Sequence, residues 1–539
     1  MDIRNVGTLQ DTSRRLRVQE IALIGLVAAG LGLAVATSIV GGIGWDGLYE
    51  VELGAILLQT TSDPASLQSL RQAWAPQDLS KGPLLFWVAQ MIGATTPLPT
   101  WTGNVLDPHN YQLMGISSVL LGLVGVGILA GSLAHLLRSR VMGLTVLGLT
   151  MTLPLWVGLS ALDYRDTLVA SGLAAVTGAG LLTASTSILR RVGFPIILFA
   201  AIGGLLTVGS RSGSVLLLGA MLLWTVLVTL FMRHPEIKDI LLRTLALTIG
   251  TLIGLTLAVF SHPLGRANPV QWLSEAVQLA SDHPNVMIVR VLGQNIISNE
   301  SPWWYVPAWL LAQTPILTTA AFAVIVVSFV ALKPRPSQSV ARSPALMVLL
   351  GPSLILPVAV LATSPNLFDG IRHLLFIVPP LFAVMATLAW ALADRRIPFL
   401  GKGRQVRLKF VSWILVGIVA FSLFATARWF PYSYAFVNPV AGAIKEPRIW
   451  EYDYWGTTSR EAISLLRDKH GVRDVFVRPS ESSSRPFGGT SYEEYLQNPS
   501  GQWGGVTFFR FDAALPSECD VTITIRRDGI PLARAGICS

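Results

Sequence analysis

Apolar runs recur along this chain at about 20–43, 112–137, 141–161, 166–190, 194–210, 213–232, 240–261, 303–332, 344–363, 370–393 and 408–427. Polar connections of a few residues separate most of them. This pattern predicts about eleven helices of the length a bilayer core requires, with glycine and proline tolerated inside them by neighbouring helices. Leu84–Ala94 is apolar but too short to span, and reads as a re-entrant or interfacial helix. Beyond about Arg428 the pattern changes. Thr458-Ser459-Arg460-Glu461 has the form of a capping box, followed by apolar Ala462, Ile463, Leu465 and Leu466, with Gly471 as a stop. Asp474–Val477, Val506–Phe511 and Val521–Ile525 read as strands. The expected fold is a polytopic α-helical membrane protein, with a membrane module over 1–427 and a small α/β domain over 428–539. Within the first, 44–111 forms a long first outer loop carrying interfacial helices.

Composition agrees with the pattern: 52% of residues are hydrophobic, 13% are charged, and the mean hydropathy is +0.56. The formal net charge of +9 does not mark a nucleic-acid binder, because no basic stripe with interleaved aromatics is present. The cations instead fall in alternate connections: Arg4/Arg14/Arg15/Arg17, Arg138/Arg140, Arg190/Arg191, Arg233/Lys238/Arg243, Lys333/Arg335/Arg342 and Arg395/Arg396/Lys402/Arg404/Arg407/Lys409. Half of the 40 Lys and Arg thus lie on one side, which predicts that side to be cytoplasmic. The first apolar run lacks a small-residue cleavage site and is expected to remain as a signal anchor, with the N-terminus inside. The loops 44–111, 162–166, 262–302 and 364–372 and the tail then lie outside, in the periplasmic or extracellular space of an inner (cytoplasmic) membrane protein. Both cysteines of the chain, Cys519 and Cys538, fall in that tail, where an oxidising exterior would allow a disulfide.

The candidate chemistry gathers on the outer side. Gly44-Trp45-Asp46-Gly47-Leu48-Tyr49-Glu50 ends the first apolar run and places Asp46 and Glu50 four apart, on one face if helical. They could equally cap the span, with Trp45 and Tyr49 as interfacial anchors. Lys81 opens the short apolar segment, either as a snorkelling lysine or as a cation meeting a headgroup phosphate. Asp163-Tyr164-Arg165-Asp166 fills a very short outer turn, as a metal or phosphate site or as an internal ion pair. Arg211 sits among small residues in another turn, and Arg372-His373 opens the tenth run. Ionisable groups converging at the mouth of a bundle point to function.

These pieces together resemble the GT-C glycosyltransferases, in particular bacterial relatives of the protein O-mannosyltransferases (family 39 type) and of the aminoarabinose transferase of lipid A. The resemblance rests on Trp45-Asp46, Lys81-Gly82-Pro83-Leu84-Leu85, the acidic turn at Asp163, Ser301-Pro302-Trp303-Trp304-Tyr305-Val306-Pro307 and Arg372-His373-Leu374-Leu375-Phe376-Ile377-Val378-Pro379-Pro380. It extends through Pro431-Tyr432-Ser433-Tyr434-Ala435-Phe436-Val437-Asn438-Pro439 and Tyr452-Asp453-Tyr454-Trp455-Gly456. The chain departs from the family where Gly47 replaces the second acid of an Asp-Glu pair, and where Gly82 replaces the first of two prolines. The resemblance implies inverting transfer of a sugar from a polyprenyl-phosphate donor to an acceptor hydroxyl on a protein, lipid or glycan. Asp46 would be the general base, with Glu50 as the nearby second acid. Lys81, Arg211, Arg372 and Arg165 would face the donor phosphate. Asp163 and Asp166 would orient a cation or, with Asp46, hold a divalent Mg, Mn or Zn. The loop 262–302, with an amphipathic helix over Val270–Ala280, could act as a lid. A polyprenyl-lipid flippase or transporter would place ionisable residues deeper in its spans and show internal repeats. A non-catalytic envelope-assembly protein would not need the acids and cations to converge. Among enzymes, a phosphatase acting on polyprenyl pyrophosphate is a further alternative, for which the sequence lacks an evident paired His/Arg pattern. The aromatic entrance to the tail (Trp429, Phe430, Tyr432, Tyr434, Trp450, Tyr452, Tyr454, Trp455) reads as a membrane belt rather than a sugar-stacking surface.

Overall fold

The computed structural model describes residues 18–538, apart from 186–188, 232–236, 282–285, 332–343, 364–365, 395–403, 444–448, 500 and 509–512. The basic stretch before residue 18 and those within 332–343 and 395–403 lie outside the described residues. Among the described residues nine helices are long and apolar enough to cross a membrane, and two bent helix pairs raise the number to eleven. The chain is a multi-pass membrane protein. Its peripheral helices carry exposed leucines, as Leu241, Leu242, Leu245 and Leu252 on the helix Ile237–Ser261, which is what a lipid-facing surface needs.

The helix Tyr164–Ser185 sits at the centre of the bundle, with its whole apolar window buried. Lipid offers no hydrophobic drive between helices, so small residues that admit close backbone approach do the packing. At Gly172 a Cβ would come within 2.6 Å of the Gly203 carbonyl on the helix Leu189–Ser210, and Gly203 meets the Gly172 carbonyl in return. The hydroxyls of Thr167, Ser171, Thr177 and Thr183 turn back onto the carbonyls of Asp163, Thr167, Leu173 and Ala179, so these four are not stranded in the apolar core.

Two spans expected to be continuous are broken. Arg140–Met151 and Pro154–Leu162 meet at a bend of 62°, and Tyr305–Gln313 and Ile316–Ala331 at 116°. Pro154 and Pro315 supply no N–H, so nearby carbonyls need other donors. At the first break the hydroxyls of Ser422 and Thr426 donate to the Thr152 carbonyl at 2.9 and 2.6 Å. At the second, the Asn438 side chain donates to the carbonyls of Leu311 and Thr314 at 2.5 and 3.1 Å. None of these three residues is near its proline in sequence.

The long loop 44–111 folds as Gly47–Gln59, Pro64–Ala73, Pro76–Leu79 and Leu84–Thr95. The last has 12 residues, about 18 Å at the usual rise, and so falls short of crossing a bilayer. The outer loop after the span ending at Ser261 holds the helix Pro269–Ser281, where the amphipathic pattern places it. A hairpin of β1 (Ile288–Val291) and β2 (Gln294–Ile297) follows, which the sequence pattern did not predict.

The tail is a five-stranded sheet of β3 (Asp474–Arg478), β4 (Gly489–Thr490), β5 (Trp503–Phe508), β6 (Cys519–Arg527) and β7 (Ile530–Cys538), in the order β4-β3-β5-β7-β6. β3 runs parallel to β4 and β5, and the β6–β7 hairpin adds antiparallel. Cys519 and Cys538 face each other across that hairpin and are joined as a disulfide. Two expectations need correction. The helix Ser459–His470 ends at Gly471 as read, but its capping box does not form. Thr458 gives its hydroxyl to Asp453, and Glu461 accepts instead from Tyr432 and Arg527. The aromatic entrance is not an exposed belt either. Trp429, Tyr432, Tyr434, Trp450, Tyr452 and Tyr454 are buried, with Trp450 against Trp309 and Trp429 against Phe436.

Candidate functional site

One end of the bundle brings together five segments far apart in sequence. The turn at Lys81 and the turn at Arg211 pair backbone to backbone: Gly82 N–H donates to Ser210 O at 3.0 Å, and Ser212 N–H to Ser80 O at 2.9 Å. Arg165, at the head of the central helix, locks that bridge by donating to the carbonyls of Gly82 (3.2 Å) and Ser210 (3.0 Å). Its remaining donors go to Glu50, with Nε at 2.6 Å. The other Glu50 oxygen lies 3.1 Å from Lys81 Nζ. Lys81 also sits 4.5 Å over the Tyr49 ring. Burial raises the affinity of the Glu50 carboxyl for its proton, but the charges and hydrogen bonds of Arg165 and Lys81 outweigh it and hold the group down at about 2.

A second charged group adjoins the first. Arg211 pairs with Asp166 at 2.8 Å. Arg372 is caged by Asp369 at 3.0 Å, Asp163 at 3.7 Å and Asp166 at 4.0 Å, under the rings of Phe368 and Trp455. Burial, then the neighbouring Asp166 charge, pushes the Asp163 carboxyl well above the usual carboxylate range, against the pull of Arg372 and Arg211.

Asp46 stands apart. It occupies the N-cap position of Gly47–Gln59, yet its side chain makes no cap hydrogen bond. Half-buried, it has no hydrogen bond or ion pair to its carboxylate among the described residues, while lying within electrostatic reach of Arg372 and Asp78. The backbone beside it is fixed by a hydrogen bond from Trp45 N–H to the Trp455 carbonyl at 3.0 Å.

All the acids and cations singled out in the sequence lie in this one region, and their partnerships divide them. Glu50 and Arg165 are buried against each other. Lys81 and Arg211 keep partial exposure, at 17% and 34% of their side chains. Arg372 is buried, and Asp369 and Trp455 complete its cage. Asp369 did not stand out in the sequence, although it lies three residues before Arg372, a spacing that lets a tight turn pair them; Trp455 stood out only as part of the aromatic entrance to the tail. The acids do not fit a divalent metal, because Asp163, Asp166 and Asp369 already surround a guanidinium. Among the described residues no three His, Cys, Asp or Glu side chains converge as ligands.

No family model and no curated protein sequence matches the chain. Solved structures do. ArnT from Cupriavidus metallidurans bound to undecaprenyl phosphate is 12% identical, with a TM-score of 0.49 over 95% of this chain and 97% of that one. The Archaeoglobus fulgidus oligosaccharyltransferase AglB, in complex with an inhibitory peptide and a dolichol-phosphate, is 10% identical, with a TM-score of 0.46 over 91% of this chain and 69% of that one.

Proposed function

We propose that this protein transfers a sugar from a polyprenyl-phosphate donor to an acceptor hydroxyl at the exoplasmic face of the membrane, with inversion at the anomeric carbon. The observation that carries the reading is the half-buried carboxylate of Asp46, which has no ion pair or hydrogen bond among the described residues and lies within electrostatic reach of Arg372. Asp46 takes the proton of the acceptor hydroxyl as its oxygen attacks the anomeric carbon. The bond from that carbon to the phosphate oxygen breaks, and the electron pair leaves with the polyprenyl phosphate.

The leaving phosphate gains negative charge, which preorganised cations stabilise without reorganising. Glu50 lies between Arg165 and Lys81, and Asp78 lies 3.9 Å from Lys81. Lys81 and Arg211, the partly exposed cations, face the phosphate, while Arg165 and Arg372 hold the frame.

The test is transfer of radiolabelled sugar from a panel of polyprenyl-phosphate donors, in membranes carrying wild type or Asp46→Asn. Removing a general base should cost roughly 10²- to 10⁴-fold in rate at equal expression. Equal transfer by both proteins would take Asp46 out of the mechanism. Absence of transfer with every donor and acceptor class, with lipid crossing the bilayer instead, would replace the reading with that of a flippase.

A further inference from the structure

The tail loop Tyr452–Thr458 reaches the site, and one buried acid shapes it. Asp453 accepts from four donors: the Thr457 N–H at 3.0 Å, the Thr458 N–H at 3.2 Å, the Thr458 hydroxyl and the Tyr434 hydroxyl. The turn this makes passes through Gly456 in the left-handed region, with Gly456 N–H on the Asp453 carbonyl at 3.1 Å. The loop's outer side then meets the site twice. The Trp455 carbonyl accepts from Trp45 N–H, and the Trp455 ring lies 5.1 Å from the Arg372 guanidinium. The contact is close enough that a Cβ on Gly44 would overlap the Trp455 ring, and one on Gly42 the Thr457 carbonyl. Just beyond the loop, Arg460 donates to the carbonyls of Ile39 and Gly41 at 2.9 and 2.8 Å, tying down the end of the first span.

We propose that Asp453 is a positioning residue: it shapes the loop so that Trp455 fixes the acid segment at Asp46 and the Arg372 guanidinium at once. The membrane module alone would leave one wall of the site missing. Asp453 touches neither Asp46 nor any cation of the site, so its effect must travel through Trp455. The role in catalysis rests on the function proposed above; the loop's hold on residues 41–47 does not.

The experiment uses the full-length protein in lipid nanodiscs, as wild type, Asp453→Ala, Asp453→Asn, Trp455→Ala, Trp455→Phe and Gly44→Ala. Three quantities are read: amide exchange over residues 41–47, thermal midpoint, and kcat at saturating donor. Asp453→Ala, Trp455→Ala and Gly44→Ala should expose residues 41–47 to exchange while the central helix Tyr164–Ser185 stays protected. Misplacing the acid by about an ångström should lower kcat about 100-fold, with KM for the donor changing far less. Trp455→Phe keeps a ring over Arg372 and should restore most of the protection. Asp453→Asn keeps the shape but loses the charge, and should fall between alanine and wild type. Unchanged exchange over 41–47 in both alanine variants overturns the proposal. So does an increase spread over the whole chain in step with the thermal midpoint, which is what a merely structural role would give. If wild type transfers no sugar, the proposed function fails, and the exchange arm still decides the loop's role.

Discussion

Glu50 illustrates how far a single residue can be read before its partners are known. An acid one helical turn from Asp46 suggests a second catalytic carboxylate, but its burial against Arg165 and Lys81 makes it a counter-ion. The partner Arg165 is 115 residues away, so no local pattern could have paired them. The individual ionisable groups were legible because charges are rare at the ends of apolar runs; their division into pairs was not. Its consequence is a pH dependence. The Glu50 proton affinity is depressed from 4.5 to about 2, so its stabilising contribution is complete above about pH 4.5 and is lost as pH falls toward 2. Glu50→Gln should lower the thermal midpoint at neutral pH, since a buried arginine loses its carboxylate at a cost of about 3 to 5 kcal/mol. It should also flatten the fall in midpoint between pH 4.5 and 2 relative to wild type. Parallel pH curves for the two proteins would contradict this pairing.

Among the elements, hydrophobic length located the spans well, because roughly 20 apolar residues have few alternatives to crossing a membrane. It did not show where two of them break, because those breaks depend on Ser422, Thr426 and Asn438, donors supplied from distant segments. The bridge between the Lys81 and Arg211 turns was hidden for the same reason, although Gly82 is a signal in retrospect. A Cβ there would overlap the Gly209 carbonyl, so the departure from proline to glycine at this position has a packing cause. Gly82→Ala should push the two turns apart and separate the cations. The expected result is about a tenfold rise in KM for the donor, equivalent to about 1.4 kcal/mol of binding, with the protein still folded. Gly219→Ala is the control, since a Cβ there meets nothing within 4 Å. Equal donor KM in both variants would show that the bridge does not set the cation spacing.

At the scale of the whole molecule, the alternation of basic connections and the tail disulfide bear on the same question from unrelated physics. The first is an electrostatic bias during insertion; the second needs an oxidising compartment. The proposed orientation, with the tail outside the cytoplasm, meets both requirements and can be tested directly. The chain's two cysteines are the bonded pair Cys519 and Cys538, so wild type offers an unusually clean probe. In intact cells a membrane-impermeant maleimide should leave the protein unlabelled until a membrane-impermeant reductant is added, and should then label it without lysis. A tail on the cytoplasmic side would behave oppositely, reacting only after lysis and needing little or no reductant. The same bridge gives a second readout. It closes a sequence separation of 19 residues, for which chain entropy predicts about 3 kcal/mol. Replacing both cysteines by serine should therefore make the tail sheet exchange and proteolyse faster while the bundle is unaffected. Because the loop at Asp453 is held by Tyr434 and by its own turn rather than by the hairpin, sugar transfer by that variant should persist at temperatures where the sheet remains folded. Loss of transfer with the sheet intact would mean that the β6–β7 hairpin reaches the site by a route other than the Trp455 loop.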